Sequence, residues 1–194
     1  VVARYRDVVD EWEIWNEPFG EPDAYSEMVL RTAAAIKEVQ SNATCMVSAM
    51  APREYDVVVA KLKAAGRTDL VKYWIYHPYI ADPDNAVDGW FGYDFIDGLR
   101  HRLVAVNPDW RIMQGEAGCP AQLEFDHALH DHPWSEYSQA KWHLRRMAGE
   151  AARGIPYNAF TIIDLQYPWM LQSFGLIRAD ADHRFVYRRP SYWA

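Results

Sequence analysis

The sequence predicts an α/β protein, specifically a (β/α)8 TIM barrel that is present only as an incomplete barrel of about five βα units. Short apolar runs alternate with longer stretches of helical periodicity from residue 11 onward, as they do in parallel βα units. No glycine-rich phosphate loop follows any of these runs, which disfavours an open, doubly wound, nucleotide-binding sheet. Most of the runs end in polar residues, and a barrel carries its chemistry at the carboxyl ends of its strands.

The first part of the chain supplies two strands and the helix between them. Glu11–Glu17 is an apolar stretch that stops at Asn-Glu-Pro, where Pro18 enforces the exit from a strand. Asp23–Gln40 carries its apolar residues at helical spacing along one face, which indicates an amphipathic helix. Thr44–Met50 is the next short apolar run and therefore the second strand.

The middle of the chain continues this alternation. Glu54–Ala65 has helical periodicity and stops before Gly66, which stands where a helix C-cap prefers glycine. Leu70–His77 is the third strand. The helix Tyr93–Val106 stops before an Asn-Pro pair, because proline cannot continue a helix, and Trp110–Glu116 follows as the fourth strand.

The last helix and strand complete the series, and they set how much of a barrel we expect. Ser135–Arg153 begins at a capping serine and is stopped by Gly-Ile-Pro, and Tyr157–Asp164 is the fifth strand. Val1–Val9 has helical spacing without a start signal. We therefore expect one domain, residues 1–194, that holds strands four to eight and lacks its first three βα units. The two edges left unpaired favour association with the missing N-terminal half or with a second copy.

Composition excludes several classes of function. The 20 basic and 27 acidic residues give a net charge of −7, which argues against binding to the phosphates of nucleic acids. No apolar run approaches the ~20 residues that span a bilayer, so we expect no membrane association. Cys45 and Cys119 lack the spacing of a zinc site or a disulfide framework. They leave the compartment open, and secretion would require a signal peptide ahead of Val1.

Two glutamates end predicted strands and are the main catalytic candidates. Glu17 ends the first strand and Glu116 the fourth, and in a barrel both would face one pocket. Paired carboxyl groups perform glycoside hydrolysis, in which one protonates the leaving oxygen while the other attacks the anomeric carbon or activates water. A carboxylate in a polar loop is the alternative interpretation of each.

The segments that contain these glutamates resemble a known group of enzymes. WEIWNEP at 12–18, IYHPY at 75–79 and QGEAG at 114–118 are similar to the fourth-, sixth- and seventh-strand motifs of the clan A glycoside hydrolases. The resemblance covers nearly the whole chain. It implies a retaining hydrolase that cleaves β-linked sugars of an oligosaccharide or polysaccharide, with no cofactor and no metal.

Carried over residue by residue, the resemblance assigns roles to five side chains. Glu17 matches the general acid/base, and Glu116 matches the nucleophile. Asn16 matches the residue that hydrogen-bonds the sugar 2-hydroxyl. His77 and Tyr79 match residues that line the site, and the tyrosine commonly holds the nucleophile. For Asn16 a turn cap, and for His77 a structural role beside proline, are the competing interpretations.

Three further residues are candidates for substrate binding. Asp164 ends the fifth predicted strand, and Trp169 follows in the same loop. Trp90 lies in the loop after the third strand, and its ring suits the apolar C–H face of a pyranose. Phe91, Tyr93 and Trp134 are similar candidates, although core packing is the competing explanation for each aromatic residue.

Two other functions remain open from the sequence. The chain could be a catalytically silent carbohydrate-binding or assembly fragment that keeps the aromatic cleft and the motifs. In the clan the first three strands usually supply an arginine and a histidine or asparagine to the site, and this sequence contains no counterpart of those strands. A doubly wound hydrolase of another kind is disfavoured, because the chain has neither a GxSxG elbow nor a P-loop.

Overall fold

The chain alternates strands and helices as the sequence predicts. The computed structural model describes residues 1–49, 51–85, 92–180, 182 and 184–194. The helices are α1 (Val2–Tyr5), α2 (Pro22–Val39), α3 (Pro52–Ala64), α4 (Tyr93–Val106) and α5 (Glu136–Ala152). The strands are β1 (Glu11–Ile14), β2 (Thr44–Ser48), β3 (Tyr73–Tyr76), β4 (Arg111–Ala117), β5 (Tyr157–Ala159), β6 (Leu165–Gln166), β7 (Leu171–Gln172), β8 (Ile177–Ala179) and β9 (Phe185–Arg188). Among the described residues, no helix has the length and apolar character needed to cross a bilayer.

Strands β1 to β5 form one sheet in the order of the sequence, β1-β2-β3-β4-β5. The pairs β1–β2, β2–β3 and β4–β5 are parallel, and a helix follows each of the first four strands. This is the arrangement of half an α/β barrel. The predicted fold class, an incomplete (β/α)8 barrel, is therefore confirmed.

The residues group into two units, and the first comprises Val1–Tyr76 and Ile96–Met113. Its core is built by β2, which is almost wholly buried, and by the apolar faces of α2 and α3. Trp74 of β3 and Trp110 lie with their ring centroids 4.7 Å apart, so two large side chains fill the space beside the sheet. Helices α2 and α3 each bury one face in this core, as the spacing of their apolar residues predicts.

Two tyrosines on consecutive helices fix the carboxyl ends of the strands in this unit. The Oη of Tyr25, on α2, lies 3.1 Å from the carbonyl oxygen of Ile14 and 2.8 Å from that of Ser48. The Oη of Tyr55, on α3, lies 2.8 Å from the carbonyl oxygen of Ile75. In each helix the tyrosine stands three residues after the first proline, in the sequence Pro-x-x-Tyr. The helices thus hold the strand ends from which the loops of the candidate site depart.

The second unit comprises His77–Phe95 and Gln114–Ala194. Helix α5 packs against β5, and it begins as predicted at Ser135, whose Oγ accepts a hydrogen bond from Ser138 N. Beyond β5 the chain forms two antiparallel hairpins, β6–β7 and β8–β9, and a short 3-10 helix, Pro190–Tyr192. These hairpins are not predictable from the sequence, because strands of two to four residues carry too little periodicity to be recognised.

Three predicted boundaries are corrected by the structure. Strand β1 ends at Ile14 rather than Glu17, since Trp15 and Glu17 have left-handed backbone angles, with φ of 66° and 44°. Strand β5 ends at Ala159 rather than Asp164. The helix expected over Val1–Val9 is reduced to α1, which buries no residue.

A buried histidine in the second unit leads to a prediction about acid stability. His143, on α5, has its Nδ1 2.6 Å from the Oη of Tyr157, and burial lowers the pKa of His143 to about 4. In the unfolded chain the pKa is near 6.5, so between these values the unfolded state binds a proton that the folded state does not. We expect the free energy of unfolding to fall as pH decreases from about 6.5 to about 4, by about 3 kcal/mol in total.

Urea denaturation of the protein at several pH values in this window measures the effect. His143→Gln, which keeps a hydrogen-bonding side chain but cannot titrate, should remove this part of the pH dependence. The exposed His101 supplies the control, because His101→Gln should leave the dependence unchanged. An equal slope in the wild type and His143→Gln would contradict the prediction.

Candidate active site

The segment that carries Glu17 leaves β1 in a sharply turned conformation. Trp15 and Glu17 both adopt positive φ, which is uncommon for residues other than glycine and occurs often at functional sites. Pro18 is buried while Asn16 is exposed and Glu17 is partly buried. Because Tyr25 holds the carbonyl oxygen of Ile14, the turn starts from a fixed point. Glu17 is therefore presented by a tightly defined loop rather than by the strand itself.

Glu116 lies near the carboxyl end of β4 and has a specific partner in the second unit. The Oη of Tyr79 donates a hydrogen bond to Oε1 of Glu116. The ring of Tyr79 packs edge-on against Phe174, with 6.1 Å between centroids, so the hydroxyl is aimed by apolar contact. The resemblance implies a hydrogen bond between these two residues, while their roles in catalysis stay predictions. The hydrogen bond therefore fixes the direction of the Glu116 carboxylate.

The backbone just before Glu116 is held by hydrogen bonds between β4 and the start of β5. The side chain of Gln114 is fully buried, and its Oε1 accepts a hydrogen bond of 2.7 Å from Asn158 N. The side chain of Asn158 donates in return to the carbonyl oxygen of Gly115, at 2.8 Å. This reciprocal pair spans the register shift between β4 and β5. The role of Gln114 within QGEAG is not visible in the sequence, because it depends on the distant Asn158.

Gly118, two residues after Glu116, has to be a glycine for a steric reason. A Cβ at this position would lie 1.9 Å from the carbonyl oxygen of Phe160, well inside van der Waals contact. Glycine is therefore required where the chain leaves β4 and passes the loop after β5. The second glycine of QGEAG thus keeps these two segments close together.

His77 and Tyr79 lie two residues apart, but they are exposed to different degrees. The amide of Tyr79 donates to the carbonyl oxygen of His77, at 3.0 Å, which closes a tight turn after β3. His77 is only 2 % exposed, whereas Tyr79 is partly accessible. The turn thus fixes the position of Tyr79 beside Glu116, and the lining role of His77 stays a prediction.

Asp164 lies inside the second unit and has a charged partner there. Its carboxylate is fully buried and forms two hydrogen bonds with the guanidinium of Arg189, Oδ1 to Nη1 at 2.5 Å and Oδ2 to Nη2 at 2.9 Å. The amides of Gly175 and Ala179 donate to the same two oxygens. These contacts hold the loop after β5 against the second hairpin. Asp164 thus forms an internal ion pair, and its role in substrate binding stays a prediction.

The predicted aromatic platforms have separate outcomes. Trp169 is 68 % exposed and stacks on Tyr167, with ring centroids 5.4 Å apart, at the tip of the β6–β7 hairpin. Tyr93 is buried in the core, and Trp134 packs against Cys119 and Trp142, as the packing alternative predicts. Trp90 and Phe91 lie outside the described residues.

A second buried carboxylate lies close to these loops in sequence. Glu124 is 4 % exposed, and its Oε1 accepts hydrogen bonds from the amide and the hydroxyl of Ser173. Burial raises the pKa of Glu124 above its ordinary value. Ser173 precedes Phe174, which contacts Tyr79. Glu124 therefore supports the segment behind Tyr79, a role that its position in a loop gave no reason to expect.

The fold is similar to those of several solved structures. No protein family model matches the chain, and neither does any curated protein. Among the solved structures that it resembles, a β-D-glucuronidase for Dictyoglomus thermophilum has a TM-score of 0.62 at 12 % identity, with 94 % of this chain and 30 % of that chain covered. A GH2 β-galacturonidase from Eisenbergiella tayi has a TM-score of 0.61 at 14 % identity, with 95 % and 32 % covered.

A third similar structure comes from another glycoside hydrolase family. It is a family 17 β-1,3-glucanosyltransferase from Rhizomucor miehei, with a TM-score of 0.56 at 12 % identity and with 86 % of this chain and 56 % of that chain covered. The chain spans less than two thirds of the length of each of these proteins. At such low identities the likeness concerns the fold alone. The molecule therefore has a glycosidase-like half-barrel fold.

Proposed function

We propose that the protein is a retaining glycoside hydrolase that cleaves β-linked glycosides through a covalent glycosyl-enzyme. One observation carries the proposal. Glu17 follows β1 and Glu116 lies near the end of β4, and both strands belong to one sheet, whose carboxyl ends are the catalytic end of a barrel. The glycosidase-like fold of the similar structures supports the same conclusion.

In the proposed mechanism the two glutamates perform different tasks. Glu116 attacks the anomeric carbon, and the C–O bond to the leaving group breaks as Glu17 transfers its proton to the leaving oxygen. Glu17, now a carboxylate, then removes a proton from water, which attacks the glycosyl-enzyme and releases Glu116. The hydrogen bond from Tyr79 to Oε1 of Glu116 orients the carboxylate for the first step.

The remaining candidates bind substrate in this proposal. Asn16 is exposed beside Glu17 and has an amide that suits the sugar 2-hydroxyl. His77 and Tyr79 line the site near Glu116, and Trp90 and Trp169 stack on sugar rings. The substrate is an oligosaccharide or polysaccharide, and the reaction uses no cofactor or metal.

The second candidate function is a carbohydrate-binding or assembly fragment without activity. The stacked pair of Tyr167 and the exposed Trp169 favours it, because an accessible aromatic face binds the C–H face of a sugar whether or not a reaction follows. In that case sugars would bind, and replacement of Glu116 would not change any measured rate.

The test is hydrolysis of a panel of aryl β-glycosides that differ only in the sugar. We expect rapid release of the phenol from one sugar, loss of that release in Glu116→Gln, and normal release in Glu38→Gln, which changes an exposed glutamate on α2. Binding of a sugar without release of phenol from any member would support the silent fragment instead.

A further inference from the structure

The loop after Glu17 forms a cleft with the first turns of α2. It has a volume of about 210 Å³ and is lined mainly by the apolar side chains of Trp15, Pro18, Phe19 and Met28. Sites for drug-sized ligands enclose ~300–1,000 Å³, so this cleft has room for a single ring system. Among the described residues that line it, Glu21 is the one with a charged side chain.

Two aromatic residues of the cleft, Trp15 and Phe19, are largely exposed, and a third, Tyr25, is anchored by hydrogen bonds. Trp15 is 63 % exposed and Phe19 is 73 % exposed, although large apolar side chains cost free energy when they face water. Trp15 also has a left-handed backbone, which costs free energy and occurs often at ligand-binding sites. On the helix side, Tyr25 lines the cleft and is anchored through its hydroxyl to Ile14 and Ser48. The cleft is thus a preformed surface.

The position of Glu17 indicates what the cleft binds. Trp15 and Phe19 flank this glutamate at two residues on either side. In the proposed reaction Glu17 protonates the oxygen that joins the sugar to its leaving group, so the leaving group has to lie beside this loop. A sugar in that place would need several hydrogen-bonding partners for its hydroxyls, and the lining offers few polar groups. A flat apolar ring needs only the aromatic faces.

We infer that the cleft of Trp15, Phe19 and Met28 is the binding site for the leaving group, and that it selects glycosides with an aromatic aglycone. This inference rests on the proposed function, because Glu17 defines which part of the substrate lies beside the loop. The aglycone ring stacks on Trp15 and Phe19, and Met28 contacts its edge.

A binding experiment tests the cleft without any need for catalysis. The probe is 4-methylumbelliferone, a free aromatic aglycone, and its binding is followed by saturation-transfer NMR. We expect Trp15→Ala to weaken binding about 3- to 10-fold, the amount that one aromatic stacking contact contributes. Trp193→Ala should have no effect, because this tryptophan is also largely exposed but does not line the cleft. If Trp15→Ala does not fold, Phe19→Ala removes the other exposed aromatic ring of the cleft and provides the same comparison.

Kinetics then connects the cleft to the reaction. Trp15→Ala should lower kcat/KM for the aryl glycoside about 3- to 10-fold and leave kcat/KM for the matching glycosyl fluoride unchanged, because fluoride is too small to reach the cleft. If no substrate reacts but 4-methylumbelliferone binding depends on Trp15, the proposed function fails while the cleft stands as an aromatic binding site. Absence of probe binding, or a cleft occupied by a second copy as shown by a Trp15-dependent dimer in light scattering, would overturn the inference.

Discussion

Replacement of Glu116 by glutamine should abolish formation of the glycosyl-enzyme for every substrate, whatever its leaving group. The amide cannot attack the anomeric carbon, and it keeps the size of the carboxylate and its contact with Tyr79. Trapping of a 2-deoxy-2-fluoro glycoside and intact-protein mass spectrometry should show the sugar adduct in the wild type and none in Glu116→Gln. The expected loss is essentially complete, which makes this the largest effect we predict.

Replacement of Glu17 by alanine should have an effect that depends on the leaving group. A dinitrophenyl glycoside releases a stable anion without protonation, so it should still form the adduct. An ordinary glycoside should lose a large part of the ~10²–10⁴-fold that general acid catalysis contributes. The two variants therefore separate attack from protonation, which a single inactive mutant cannot do.

Azide provides the stereochemical control for both assignments. In Glu17→Ala the second step lacks a base, so added azide should restore turnover and yield a β-glycosyl azide, which NMR identifies. Two inversions at the anomeric carbon give this product. An α-configured azide would mean direct displacement by a single inversion, and the roles of Glu17 and Glu116 would both be wrong.

The fold was largely predictable because its signals are local. Helix α4 has the predicted bounds, since an Asn-Pro pair stops it, and α5 begins at the predicted capping serine. The apolar run of β2 is buried as expected. Each of these features depends on neighbouring residues in the sequence, and the sequence contains them in full.

The parts that could not be predicted depend on distant contacts. Gln114 is explained by Asn158, which lies 44 positions away, and Glu124 by Ser173, which lies 49 positions away. The end of β1 was misplaced because the positive φ angles of Trp15 and Glu17 follow from the packing of the loop, and neither residue type favours them. The motifs around Glu17 and Glu116 are therefore visible in the sequence, whereas the contacts of Gln114 and Glu124 are visible only in the structure.

The contacts of Asp164 also join residues that are distant in the sequence, and they lead to a second prediction with a large expected effect. A carboxylate after the fifth predicted strand looked suited to substrate, yet its partner Arg189 is 25 positions away and only 2 % exposed. Glu136 also contacts this guanidinium, with 3.2 Å from its Oε1 to Nε of Arg189. Removal of one partner from a buried ion pair typically costs ~3–5 kcal/mol, because the other charge stays buried without full compensation.

We therefore expect Asp164→Asn to lower the free energy of unfolding by about 3 kcal/mol, with Glu136 limiting the loss to the lower end of the ~3–5 kcal/mol range. Arg189→Met should have a similar effect, because among the described residues it leaves the buried Asp164 carboxylate with the amides of Gly175 and Ala179 as hydrogen-bond donors. The double variant should lose less than the sum of the two, since the charges then disappear together. Urea denaturation of the four proteins measures this coupling. If Asp164 bound substrate instead, Asp164→Asn would raise KM while the free energy of unfolding stayed the same, and the coupling with Arg189 would vanish.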